Sequence, residues 1–165
     1  MLSVVPSIAV LGIVAFAALQ LALRRPSSGE LRMECASASH MLALATAIQG
    51  GHFIEEWATD FHIRFPALFG LDPMPLAFFV AFNLTWIVVW IASVPLLKIG
   101  RKAAFFAAWF LAMAGMLNGV VHPLLAVVSG GYFPGLISSP FIGLASIRLW
   151  RRLCRASPVE AQVES

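Results

Sequence analysis

The segment His52-Phe53-Ile54-Glu55-Glu56 carries the residues of this sequence best suited to do chemistry. On an α-helix, Glu55 and Glu56 lie three and four residues after His52, so the three side chains fall within an arc of roughly 100°. A histidine with carboxylates at these offsets can bind one metal ion, or can place an imidazole and a carboxylate within proton-transfer distance. The spacing predicts one of these two sites and does not decide between them.

Asn118 and His122 repeat the four-residue spacing on a second apolar stretch, and Asn83 lies on a third. A helix rises about 1.5 Å per residue, and depth can be counted from the end of each stretch that lies next to basic residues. From that end, His52 is about 24 Å away, Asn118 about 22 Å and His122 about 28 Å. Asn83 lies about 10 Å from the opposite end of a stretch that runs the other way. In a hydrocarbon layer ~30 Å thick, all four residues share one depth, which predicts one shared pocket.

These residues lie in a chain that is 60% apolar and only 12% charged, with a mean hydropathy of +0.87. Soluble domains are nearer half apolar and a quarter charged, so lipid is the predicted solvent. No alternating pattern of a β-barrel competes with helices of about 20 residues. The predicted membrane spans are 2–23, 36–57, 75–97, 103–128 and 133–149. The predicted fold is therefore all-α, a single polytopic membrane helix bundle over residues 1–155 with a flexible cytoplasmic tail, 156–165.

The basic residues predict the orientation of this bundle. With five spans, ten of the eleven fall on one side, in the first connection, the third connection and the C-terminal segment. They are Arg24, Arg25, Arg32, Lys98, Arg101, Lys102, Arg148, Arg151, Arg152 and Arg155. Lys and Arg are concentrated in cytoplasmic loops, so the N-terminus is predicted outside and the C-terminus in the cytoplasm. The basic residues do not alternate with aromatic residues as they do in a nucleic-acid-binding groove, so no nucleic-acid partner is predicted.

Three further segments bear on this arrangement. The first stretch lacks the basic n-region and the A-x-A site of a cleaved signal peptide, so we expect it to remain as a span. The outer loop 58–74 is predicted to be solvated, with folding over the pocket mouth as the alternative. A stripe of small residues on the fourth stretch predicts close helix packing on the side of His122. Its members are Ala108, Ala112, Gly115 and Gly119.

Taken in order, these residues resemble the HXXEE family of small bacterial membrane proteins. The resemblance rests on His52-Phe53-Ile54-Glu55-Glu56, Asn83, the pair Asn118 and His122, and Tyr132-Phe133-Pro134-Gly135-Leu136. The last piece is similar to the Y-x-P-G-L that opens the family's final helix. The resemblance runs from about residue 52 to residue 150 and implies a bacterial cytoplasmic (inner) membrane protein whose motif is a functional site. It names no substrate.

The leading hypothesis is an intramembrane enzyme acting on a lipophilic substrate that enters from the outer leaflet. Its predicted catalytic residues are His52, Glu55, Glu56 and Asn118. The residues predicted to bind the substrate are Asn83, Trp57 and Tyr132. The predicted metal ligands are His52, Glu56 and His122. In the metal version, a divalent ion (Zn or Fe) activates water for a hydrolase or oxidase, and the second glutamate is the base. In the metal-free version, a glutamate and a histidine move protons, as in an isomerase or hydratase.

Two non-catalytic alternatives stay open. The protein could bind or transport a lipid or another small hydrophobic ligand, in which case a chain of this size is expected to form a homo-oligomer. It could also be an accessory subunit whose polar cluster only holds helices together. The partner predicted for the enzyme and for the carrier is membrane lipid or a lipophilic small molecule. The only cofactor predicted is the divalent metal.

Overall fold

The computed structural model describes residues 2–24 and 32–157, and these residues form six α-helices joined by turns. The helices are α1 Val5–Leu23, preceded by a 3-10 turn Leu2–Val4, then α2 Arg32–Ala58, α3 Phe61–Ala67, α4 Leu76–Lys98, α5 Lys102–Val128 and α6 Ser139–Ala156. The predicted all-α fold is confirmed. Most of the predicted first connection and of the predicted tail, residues 25–31 and 158–165, lies outside the described residues.

Three stretches of the described chain are long and apolar enough to cross a membrane, namely Leu2–Leu23, α4 and α5. Helix α2 has the necessary length but carries several polar groups, including Gln49, His52 and both glutamates. Helix α6 has 18 residues and four arginines in its second half. The spans predicted for α2 and α6 therefore depend on whether neighbouring helices cover these polar residues, and they stay predictions.

The observed helix ends follow the sequence closely for α1, α4 and α5 and differ elsewhere. Helix α6 begins at Ser139, six residues later than the predicted start of the fifth span at Phe133, and continues to Ala156. Gly135 has a φ of +84°, which no helix allows, so the chain turns there before α6 can begin with Pro140 in its first turn. Helix α3 forms inside the segment that was predicted to be a loop.

Helix α5 is the centre of the bundle, because α1, α4 and α6 all pack on it. The small-residue stripe on α5 explains how α6 can pack so close to it. Ala108 and Ala112 are fully buried, and a Cβ added at Gly119 would lie 2.8 Å from the Cα of Gly143 on α6. The predicted close packing is confirmed, and its partner is α6. Helix α6 in turn packs on α2, so it lies between α2 and α5.

The basic segments share one end of this bundle, which we call the basic end. The residues next to each of them belong to one packed cluster: Ala22, Cys35, Leu97, Ala104 and Leu153. A hydrogen bond of 2.8 Å from Ser39 Oγ to the carbonyl oxygen of Val94 ties α2 to α4 near the same end. The opposite end, which we call the site end, carries the polar residues described next.

Candidate metal centre

Three buried side chains from two helices meet at the site end. Glu56 Oε1 lies 3.5 Å from His52 Nε2 on its own helix and 3.4 Å from His122 Nε2 on α5. All three candidate ligand atoms lie within 4.8 Å of one another, and the residues are between 0% and 6% exposed. The predicted meeting of His52 and Glu56 with His122 is therefore confirmed.

The hydrogen bonds behind the two imidazoles fix which nitrogen carries the proton. His122 Nδ1 lies 2.5 Å from the carbonyl oxygen of Pro134, which can only accept, so Nδ1 donates. His52 Nδ1 lies 2.7 Å from Ser138 Oγ, whose single hydroxyl proton is already donated to Glu55. The serine oxygen therefore accepts from His52 Nδ1. When an imidazole in this arrangement is neutral, its Nε2 carries a lone pair that is directed at Glu56.

Two imidazole nitrogens and one carboxylate oxygen thus converge in a buried place. His52 Nε2 is buried and has no hydrogen-bond partner in the described part of the chain. The two nitrogen–oxygen distances exceed the 2.7–3.2 Å of ordinary N–H···O bonds. They match the roughly 3.3 Å expected between neighbouring ligands of a tetrahedral ion with bonds of about 2.0–2.1 Å. This buried His-Glu-His group could hold one metal ion.

Glu55 faces away from this group and binds the segment between α5 and α6. Its Oε1 accepts from the Tyr132 hydroxyl at 2.7 Å and from the Ile137 N–H at 2.9 Å. Its Oε2 accepts from the Ser138 N–H at 2.7 Å and from Ser138 Oγ. Burial, and then the hydrogen bond to Glu55, raise the pKa of Tyr132, so its hydroxyl remains a donor at neutral pH. Glu55 therefore holds in place the segment that orients both histidines.

Gly135 lets the backbone of the same segment approach both imidazoles. A Cβ added there would lie 2.5 Å from the His122 ring and 2.8 Å from the His52 ring, closer than real Cβ contacts. Its positive φ is also a conformation that residues with a side chain rarely adopt. The segment thus packs against the Cε1 side of both rings and holds their Nε2 atoms toward the carboxylate.

A cavity of about 480 Å³ opens from the group between α1, α4 and α5. Glu56 and His122 line it, whereas His52 is fully buried behind them. Asn83 and Asn118 also line it, so three of the four residues predicted to share one pocket do so, and His52 lies behind it. Most of the remaining lining is aliphatic or aromatic.

Segment 58–74 covers one side of this cavity and is only partly solvated. Phe61 and Phe65, both on α3, line the cavity, and the Phe61 ring centroid lies 5.6 Å from that of His122. A hydrogen bond of 2.8 Å from the N–H of Met74 to the carbonyl oxygen of His62 closes the segment. Most of the segment is exposed, as predicted for a solvated loop, and α3 also folds over the pocket, which was the alternative.

Two residues predicted to bind substrate lie elsewhere. Trp57 is 51% exposed and is not part of the cavity lining in the described chain. Tyr132 donates to Glu55 and is also outside the lining. Trp57 follows Glu56 on α2 and points outward, as an aromatic residue at a membrane interface would.

Sequence reasoning missed three contributors to the site. Gln49 lines the cavity, and its position two helical turns before Glu56 was the available signal. Ser138 and the carbonyl of Pro134 orient the histidines, but a lone serine and a backbone oxygen carry no recognisable pattern. Both follow Tyr132 closely, so their role becomes visible only when the path of the turn is known.

Comparison of the chain with models of protein families, with curated proteins and with solved structures finds no match. The resemblance to the HXXEE family therefore stays a prediction that rests on the motif residues. In the fold, those residues form one neighbourhood. The segment His52–Glu56 supplies two candidate metal ligands, and the Asn118/His122 pair supplies the third. The Tyr132–Leu136 segment packs behind them.

Proposed function

We propose that this protein is an integral membrane metalloenzyme in which His52, Glu56 and His122 hold one divalent ion at the head of an apolar cavity. One observation carries the proposal: two Nε2 lone pairs and a carboxylate oxygen converge in a buried place at distances that suit ligands of one ion. Buried charges and lone pairs need a partner, and a cation is the partner that satisfies all three.

The donor set and its surroundings favour a catalytic site over a structural one. Two histidines and a carboxylate are a common set for catalytic zinc and for non-haem iron, and both leave a coordination position open. Glu56 and His122 line the cavity, so a molecule in the cavity would have access to an ion held by these residues. A divalent ion there would supply a Lewis acid to an oxygen atom of the substrate or of water.

The residues around the ion take separate roles in this proposal. Glu56 is the one carboxylate among the described cavity-lining residues, so proton transfer to or from a bound molecule falls to it. Asn118 lies one turn from His122 on the same lining and orients the bound molecule. Glu55 acts through the segment that it binds, as a positioning residue.

Access from the outer leaflet is supported by the mouth of the cavity. Ile8 and Val10 on α1 and Phe78 on α4 line the cavity, yet they are 52%, 46% and 40% exposed. In the proposed five-span topology, with the N-terminus outside, these residues face the outer half of the bilayer. A lipophilic substrate would pass between α1 and α4 without crossing water. The proposed location is the bacterial cytoplasmic membrane, and the proposed family is HXXEE.

A metal-free acid–base enzyme is the second candidate, since Glu56 lies between two imidazoles. The distances of 3.4 and 3.5 Å are long for proton transfer through direct hydrogen bonds, which favours the ion. A carrier would use the cavity without the ion. An accessory subunit would need neither the cavity nor the ion.

Elemental analysis of the purified protein tests the metal directly. We expect about one zinc or iron per chain, and we expect a chelator to lower the thermal midpoint of the wild type, because a ligand stabilises the form that binds it. His122→Ala should contain no metal and should not respond to chelator. His40→Ala, a change at an exposed histidine on α2, is the matched control and should behave as wild type. A metal-free wild type that ignores chelator would overturn the metal proposal.

Topology reporters test the membrane arrangement independently of the metal. Reporters at residue 30, at residue 100 and at the C-terminus should read cytoplasmic, and one near residue 68 should read external. A cytoplasmic reading near residue 68 would reverse the orientation and with it the proposed access from the outer leaflet.

A further inference from the structure

Three carboxamide side chains, each from a different helix, line the cavity next to the proposed ion. They are Gln49 on α2, Asn83 on α4 and Asn118 on α5. Gln49 is 6% exposed, and neither it nor Asn118 makes a side-chain hydrogen bond to the described part of the chain. Asn118 is half-buried, and neither amide is among the fully buried polar atoms without a partner, so both reach the surface of the cavity. The cavity therefore presents polar groups that a bound molecule would satisfy.

Asn83 narrows the chemistry of that molecule. Its Nδ2 donates to the carbonyl oxygen of Phe79 at 3.0 Å, which fixes the orientation of the amide and leaves Oδ1 as an acceptor. A group that satisfies Oδ1 must bring a donor, either O–H or N–H. An ionised carboxylate has no donor, and neither does an ester.

The charge of the lining points the same way. Among the described residues that line the cavity, only Glu56 and His122 are ionisable, and there is no lysine or arginine. Proteins that recognise phosphate or carboxylate groups usually supply such cations. Amides instead pair with neutral groups that both donate and accept.

Beyond the amides, the cavity continues along aromatic rings. The centroids of Trp86 and Phe110 lie 4.2 Å apart, and Trp90 donates its Nε1–H to the carbonyl oxygen of Ala107 at 3.0 Å, so its only polar group is already paired. A volume of about 480 Å³ falls within the ~300–1,000 Å³ of pockets that hold one small molecule. This part suits a hydrocarbon chain.

On these observations, and resting on the proposed function, we propose the substrate class: a neutral single-chain amphiphile whose head group is a hydroxyl or an amide. The head group lies between Gln49, Asn83 and Asn118 beside Glu56 and His122, and the chain extends along Trp86, Trp90 and Phe110.

The test uses the purified protein in lipid nanodiscs, with a divalent metal supplied, and five probes of equal chain length. The probes are dodecan-1-ol, dodecanamide, dodecanoate, dodecyl phosphate and dodecane, and the measurement is the dissociation constant by calorimetry. We expect the alcohol and the primary amide to bind at least tenfold more tightly than the other three. Tighter binding of either anion, or of the alkane, would overturn the proposed class. This panel needs no variant that might fail to fold.

Variants then locate the head group. Gln49→Leu and Asn118→Leu should each weaken binding of the alcohol by about five- to tenfold, the value of one hydrogen bond, with dodecane unaffected. Thr46→Val is the matched control on α2, because Thr46 already donates to the carbonyl oxygen of Leu42 and does not line the cavity. Equal weakening by the control would contradict the assigned head-group site.

Metal content, measured on the same samples, separates the two proposals. Protein that keeps its metal but binds neither the alcohol nor the amide would overturn the substrate class and leave the metalloenzyme standing. Protein without metal that still binds the alcohol through Gln49 and Asn118 would support the head-group site and overturn the metal.

Discussion

The two ends of the bundle are held together by different forces. At the basic end, apolar side chains such as Leu149 and Leu153 are fully buried, and the rings of Trp109 and Trp150 meet edge to face at 4.8 Å. At the site end, the apolar cluster is smaller (Phe53, Met74 and Phe79), and hydrogen bonds, the His-Glu-His group and a cavity lie beside it.

Helix α5 belongs to both ends and shows the change along a single element. Its first half, from Ala104 to Ala112, is buried almost without interruption between α1, α4 and α6. Its second half lines the cavity and carries Asn118 and His122. Stability and chemistry are therefore separated along the chain, and changes at the two ends should have different consequences.

The largest effect is expected at Glu56. Glu56→Gln keeps the size of the side chain but loses its charge and most of its affinity for a metal, so activity and bound metal should both disappear. Glu55→Gln is the matched change one residue away. It removes a positioning contact and should lower metal affinity about 10- to 100-fold without abolishing binding. Metal content and activity on an alcohol or amide substrate would show both results, and an active Glu56→Gln protein would contradict the site.

The next effect concerns the turn before α6. Gly135→Ala would bring a Cβ into both imidazoles, so we expect metal affinity to fall about 10- to 100-fold. Gly130→Ala is the control for backbone strain, because Gly130 also has a positive φ of 70° but a Cβ there would meet nothing within 4 Å. Metal titration of both variants separates the two causes. Equal losses would mean that strain, and not contact with the rings, is responsible.

A packing change at the basic end should lower the stability of the protein and leave its metal binding unchanged. Leu149→Ala creates a cavity in a fully buried place and should lower the free energy of unfolding by about 2 kcal/mol, near the lower limit for such changes because lipid also solvates leucine. Metal stoichiometry should remain that of the wild type. Denaturation in mixed detergent and elemental analysis would measure the two quantities, and loss of metal would show that the two ends are coupled.

The smallest effect is expected for Tyr132→Phe. The change removes one of four hydrogen bonds to Glu55 and leaves the two backbone N–H donors and Ser138 Oγ in place. We expect metal affinity to fall less than about fivefold, the value of one partly exposed hydrogen bond. A loss as large as that of Glu55→Gln would mean that Tyr132 alone orders the turn.

Much of the fold could be predicted because long apolar stretches are a direct guide to helices. The predicted ends of the third and fourth stretches agree with α4 and α5 to within one residue, and the first stretch, 2–23, corresponds to the 3-10 turn Leu2–Val4 together with α1. The start of α6 could not be read from apolar residues alone, since Phe133 and Leu136 are apolar but precede the turn made by Gly135. Helix α3 was missed because it has only seven residues and contains Pro66.

For the site, helical spacing and depth were sufficient to bring His52, Glu56 and His122 together. They also placed Glu56 among the metal ligands, but they could not show that Glu55 faces away from the group and binds the turn before α6. This difference depends on the turn that supplies Ser138 and on the position of α6 between α2 and α5. Such contacts come from the tertiary arrangement, which spacing along one helix does not contain.

Helices α2 and α5 make little direct contact, because α6 lies between them, yet each supplies a histidine to the same group. An ion bound there would act as a reversible cross-link between residues far apart in the sequence, as a disulfide does in secreted proteins. Its loss would release the site end first, while the basic end stayed assembled. Metal supply would then set how long the chain survives membrane proteases, in addition to whether it is active.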